Sequence, residues 1–137
     1  MTRIRKYRAF ENNFRNKPKS KPVIKPKIQK LNIDGFEVLV GKNAISNDYL
    51  SIELSKDNDI WMHASGVPGS HVVISIEDEE PSEETIRKVA EIAAKNSKSN
   101  GDFTKVVITT SKYVTKKEGM NDGQVLVDYK NSYFMNV

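Results

Sequence analysis

From residue 31 onward the apolar positions fall into short runs with the spacing of strands. They lie at 36–40 (Phe36-Glu-Val-Leu-Val40), 59–64 (Asp59-Ile-Trp-Met-His-Ala64), 71–76 (His71-Val-Val-Ile-Ser-Ile76), 105–110, 124–128 and 132–136. The second and third runs are joined by Gly66-Val-Pro-Gly-Ser70. Pro68-Gly69 suits the centre of a type II turn, because proline presets the first φ and glycine tolerates the positive second one, so a hairpin is predicted. A second hairpin is predicted between 124–128 and 132–136, turning near Lys130-Asn131. Residues 82–98 carry a helical period instead. Ile86, Val89, Ala90, Ala93 and Ala94 recur at steps of three and four and make one apolar stripe. Ser82 follows Pro81 as N-cap, Glu83 and Glu84 sit at the positive end of the helix dipole, Lys95 and Lys98 at the negative end, and Asn100-Gly101 can stop the helix. Residues 43–56 fit neither period, with Asn47-Asp48 placed either to cap a short helix or to close a turn. The class is therefore α+β: a largely antiparallel sheet of about six strands covered by one main α-helix.

Charge divides the chain at about residue 30. Residues 1–30 hold eleven Lys or Arg against the single acid Glu11, which gives +10. Residues 31–137 hold the other eleven against seventeen acids, which gives −6. Pro18, Pro22 and Pro26 exclude a regular helix in the first segment, and its apolar residues follow no period. The expectation is a flexible basic arm over 1–30 ahead of a folded domain over 31–137. The arm's cations, among them Arg3, Arg5, Lys6, Arg8, Lys17, Lys19 and Lys21, suit a polyanion, whose phosphates they would neutralise with release of counterions. A solubilising tail is the alternative. The acidic body cannot be cationic all over, so any polyanion site on it must be a local patch. Absence of Cys removes disulfides, thiolate zinc sites and a thiol nucleophile, and fits a reducing compartment. No apolar run approaches the roughly 20 residues of a membrane span, and the basic N-terminus lacks the roughly 7 to 15 apolar residues of a secretory signal. A soluble, cytoplasmic protein without a membrane partner is expected.

Few residues suggest chemistry. His63 and His71 are the only histidines, and a hairpin would put them on one face. Three readings stay open for them: hydrogen-bonded sheet residues, RNA contacts that stack on a base or donate to a phosphate, and metal ligands joined by Asp59 or Asp48. Trp61 shares the face of His63 and is either a core anchor or a stacking platform. Ala64-Ser65-Gly66 and Gly69-Ser70-His71 lack the pattern of a nucleophile elbow. Gly41-Lys42-Asn43-Ala44 is not a phosphate loop, because it has neither the earlier glycine nor the hydroxyl residue after lysine. Lys116-Lys117, followed by Gly119 and Gly123, presents two ammonium groups on a loop, either as phosphate ligands or as an ordinary exposed turn.

Asp34-Gly-Phe-Glu-Val-Leu-Val-Gly-Lys-Asn43, Asn47-Asp-Tyr-Leu50, Asp59-Ile-Trp-Met-His63 and Val67-Pro-Gly-Ser-His-Val72 strongly resemble the NFACT-R domain. The likeness continues through residues 81–98, Lys116-Lys117 and Gly123-Gln-Val125. That domain is the RNA-binding module of ribosome-associated quality-control factors, once called fibronectin-binding proteins in bacteria. The resemblance implies a stand-alone, non-catalytic RNA binder without a cofactor, contacting tRNA or ribosomal RNA and through it the ribosome. Its site would comprise Lys42, Asn43, Asn47, Asp48, Trp61, His63, Ser70, His71, Lys116 and Lys117. The chain departs from the bacterial pattern at Glu118 and Asp122, where prolines are expected, and these acids weaken the cationic loop. Met120 and Gln124 look closer to small stand-alone members. DNA binding by the same surface is one alternative, and a metal-dependent enzyme using His63 and His71 is another.

Overall fold

The computed structural model describes residues 25–99 and 103–137. Most of the basic arm, including its seven cations named above, lies outside the described residues, as does Asn100-Gly101. The described chain forms a six-stranded sheet in the order β1 (Ile28–Ile33), β2 (Phe36–Gly41), β4 (Val72–Ile74), β3 (Ile60–Ala64), β5 (Lys105–Thr110) and β8 (Ser132–Asn136). Every neighbouring pair is antiparallel. Alternation along the strands gives the sheet two apolar faces. One face carries Val38, Val40, Met62, Val72, Ile74, Val106, Ile108 and Met135, which pack on Val89, Ala90 and Ala93 of α2 (Glu83–Lys95). The opposite face carries Leu39, Trp61, Val73 and Val107, covered by Leu50 and Val114 from the connecting segments. The α+β class with one main helix is what the structure shows.

Local details depart from the sequence reading, each for an identifiable reason. A strand, β1, precedes the expected first strand and takes residues 28–30 from the segment assigned to the arm. Asp34 and Gly35 both have positive φ (53° and 90°), as a two-residue type I′ hairpin requires, so they turn β1 back onto β2. The type II turn at Pro68-Gly69 is absent, because Gly69 does not take a positive φ. Glycine is needed there for close approach: a Cβ would lie 2.7 Å from Ser97 Cβ, just past the end of α2. The helix starts as expected, with Ser82 accepting from the Thr85 N–H, but stops at Lys95, where the Asn96 side chain donates to the Ile92 carbonyl. The hairpin expected between 124–128 and 132–136 does not form. Only Leu126–Val127 is a strand (β7), and it pairs with β6 (Val114–Thr115), while β8 pairs with β5.

The segment that fitted neither period is α1 (Ala44–Asp48) running into a π-helix (Tyr49–Leu54). Its wider turn, closed by the Ser55 N–H on the Leu50 carbonyl, blurs a 3.6-residue stripe. Asn43 caps α1 by accepting from the Ser46 N–H, so Asn47 and Asp48 serve neither as cap nor as turn but are buried inside the helix.

Candidate nucleic-acid interface

The face of the sheet opposite α2 is covered only in part. Between α1, the turn at residues 65–70 and the loop at 120–127 lies an open cleft of about 1020 Å³. Its floor is built by alternation on β3, which aims Trp61 and His63 at it, and by His71 just before β4. The two imidazoles meet edge to face with centroids 5.1 Å apart, and Trp61 stands 5.1 Å from His71.

Trp61 is a core anchor. Only 1% of its surface is exposed, which leaves no face for a base, and its indole N–H donates to Ser51 Oγ at 2.8 Å. The same oxygen bonds His71 Nδ1 at 2.7 Å, while the His71 N–H donates to Asn47 Oδ1. Burial, and then the neighbouring His63, push His71 down to about 3, against the pull of backbone hydrogen bonds to Asn47 and Gly123. Burial also lowers His63. Both rings are therefore neutral at physiological pH and supply no positive charge. His63, the less buried of the two, is engaged by a hydrogen bond to the Gly69 backbone and lines the cleft as a neutral imidazole.

Lys116 also departs from expectation. Its ammonium pairs with Asp48 Oδ2 at 3.2 Å and donates to the carbonyls of Asn121 (2.6 Å) and Gln124 (2.8 Å), so its three donors are engaged. Asp48 additionally accepts from the Gly123 N–H. Burial raises the Asp48 carboxyl, and the Gly123 hydrogen bond and Lys116 counter it. The pair staples the loop to α1 and is not a free phosphate ligand. Asn47 is likewise committed, since its amide donates to the Gly69 carbonyl while its oxygen holds the His71 N–H. Ser70 is buried against the end of α2, with its N–H on the Asn96 carbonyl.

Cations that remain presented are Lys42 and Lys98 on the cleft wall and Lys117 on the loop, all exposed. Lys42 Nζ donates to Asn96 Oδ1 at 3.0 Å. Both Asn96 and Lys98 lie in the 81–98 stretch of the family likeness, where the sequence marks Lys98 only as a partner of the helix dipole and places neither among the site residues; Asn96 joins Lys42, Ser70 and its own helix. Asp122 on the facing loop sets the opposite sign. Among the described residues no three of His, Cys, Asp and Glu gather where they could hold a metal. Asp59 accepts from the Lys56 and Ile76 N–H groups, and Asp48 is held by Lys116, so neither expected third ligand joins the histidines.

The family of the NFACT protein RNA binding domain matches residues 27–129. The chain belongs to that family. The NFACT domain here is similar to the Rqc2 homolog RqcH of Bacillus subtilis, 38% identical over 107 residues, and to that of Streptococcus suis, 38% identical over 89. The matches cover 74% and 64% of this chain but only 18% and 16% of those relatives, so the chain spans less than a fifth of their length. A solved structure, the C-terminal part of the fibronectin/fibrinogen-binding protein from Streptococcus suis, superposes with a TM-score of 0.72 at 30% identity. It covers 99% of this chain and 56% of that one. Among the described residues no helix is long and apolar enough to cross a membrane.

Proposed function

We propose that the chain is a non-catalytic RNA-binding module that contacts tRNA or ribosomal RNA in a translation or ribosome quality-control setting. The observation that carries this reading is the open cleft, with exposed Lys42 and Lys98 on its wall and a neutral His63 on its floor, in a member of the NFACT RNA-binding family. Ammonium groups at a rim position a phosphate backbone, while a neutral imidazole can bond to a base edge or a ribose hydroxyl. The arm's cations add attraction that does not depend on sequence. Support for a non-catalytic role comes from Ser51 and His71. They have the separation of a nucleophile and its base, yet Ser51 is fully buried and its oxygen already holds the Trp61 indole.

Fluorescence anisotropy with labelled bulk tRNA and a ribosomal RNA fragment tests the reading. Binding is expected to weaken with salt, and Lys42→Ala and Lys98→Ala should each lower affinity across sequences and reduce the salt slope by about 1. RNA affinity that ignores both salt and these substitutions would refute it. A DNA duplex that competes as well as matched RNA would make the surface a general nucleic-acid binder instead.

A further inference from the structure

The cleft floor does not end at His63. His63 lies directly opposite Val107 on β5, and Val107 lies opposite Phe134 on β8, so Phe134 continues the same row on the same face. There the covering segments stop: 47% of Phe134 is exposed, and 61% of Tyr129. The two rings are nearly parallel, 13° apart with centroids at 6.2 Å, and Tyr129 itself lines the cleft. Lys105, diagonal to Phe134 across the β5–β8 pair, holds its ammonium 5.2 Å from the Phe134 centroid.

We propose that Tyr129, Phe134 and Lys105 form a nucleobase-stacking subsite at the open end of the cleft, which takes an unpaired base of single-stranded RNA. The proposal rests on the RNA-binding reading and deepens it. Flat, exposed aromatic faces beside a cation are the chemistry that holds an unpaired nucleotide: the ring stacks on the base and the ammonium meets the phosphate. A base inside a duplex has no free face to offer. The platform is also preorganised. Asp128 accepts from the Lys130 N–H at 3.1 Å and from the Asn131 side chain at 2.7 Å, and Thr109 Oγ1 donates to the Asn131 carbonyl at 2.8 Å. These bonds fix the turn that carries Tyr129 against β5, so little ordering remains to oppose binding.

The test compares the full chain with Phe134→Ala, Tyr129→Ala and the conservative Phe134→Tyr. Anisotropy is measured on a single-stranded RNA, on the same strand made abasic at successive positions, and on the matched duplex. Each alanine variant should weaken single-strand binding by about 5- to 150-fold. Phe134→Tyr should restore it, while abasic and duplex RNA should respond less than about twofold. Unchanged single-strand affinity in both alanine variants, with RNA still bound, would overturn the subsite and leave the RNA-binding reading standing. Failure of the unsubstituted chain to bind either RNA would overturn both. Sedimentation adds a further check: if the native chain self-associates and the alanine variants do not, with RNA affinity unchanged, the patch is a contact between copies and the proposal is wrong.

Discussion

Acidification should destabilise the fold through His71, by an amount that follows from its burial. The imidazole has an ordinary value of 6.5 and is held at about 3 in the folded chain. Between those values the unfolded chain binds a proton that the folded chain refuses, so stability is full above 6.5 and is lost as pH falls toward 3. From about pH 7.5 to about pH 5 the linkage amounts to about 2 kcal/mol. That figure hardly depends on the folded value, since even a unit higher would still lie below pH 5. Trp61, the only tryptophan, is buried in contact with His71 and reports unfolding by fluorescence. Denaturant titrations should be run at both pH values on the native chain and on His71→Asn, which keeps an amide near the Nδ1 position bonded to Ser51. Titration of His63 and of the carboxylates is common to both proteins and cancels to first order. The native chain should lose about 2 kcal/mol more than the variant over this interval. Equal losses would show that His71 is not held neutral by burial, and the account of the cleft floor would fail with it.

Lys116→Met leaves the buried Asp48 carboxylate without its partner and should cost about 3 kcal/mol in denaturant titrations, with proteolysis appearing first between residues 117 and 122. Gly69→Ala must push its new Cβ away from Ser97 and should lower stability by about 1 to 3 kcal/mol, whereas Gly69→Ala without effect on the melting midpoint would contradict the close approach. Trp61→Phe removes the indole donor to Ser51 and underfills the second core; a loss of about 1 to 3 kcal/mol is expected, with RNA affinity unchanged if Trp61 supports the floor without touching the ligand. Removal of residues 1–24 should flatten the dependence of log affinity on log salt by about 4 to 5 if about six phosphates are neutralised there.

What could be read from the chain was what neighbours in sequence decide. The α2 stripe and its Ser82 cap depend on residues within four positions of each other, and the β3–β4 hairpin that unites the two histidines depends on one short turn. β1 was hidden because Lys25, Lys27 and Lys30 made its surroundings look like arm, although Asp34-Gly35 already carried the hairpin signal. The partner of β7 was misjudged because pairing is settled by distant strands: β5 offered β8 its edge, and β7 was left to β6. In the cleft, the family motifs supply Lys42, Asn43, Asn47, Trp61, His63, Ser70 and His71 to the lining, whereas the bonds that engage the side chains of Lys42, Asn47 and Trp61 come from distant parts of the chain. Asp48 and Gly123 are 75 positions apart, so nothing local revealed that Lys116 would turn inward. The neutrality of His71 likewise follows from burial that only the assembled core creates. Tyr129 and Phe134 lay in an ordinary-looking strand and turn, and their exposure is visible only once the covering segments are seen to stop short of them.

The loop anchored on Asp48 carries an evolutionary consequence. Its two ends, Lys116 and Gly123, return to one carboxylate, and the contact made in between uses the backbone of Asn121 rather than its side chain. Of the six positions enclosed, 117–122, Gly119 is tied to its positive φ and Met120 Sδ accepts from the Lys117 N–H, but the side chains at 117, 118, 121 and 122 can be exchanged while the frame that clasps them stays shut. Acids such as Glu118 and Asp122 can enter there and retune how strongly one bank of the cleft attracts its ligand, with no change demanded of the interior.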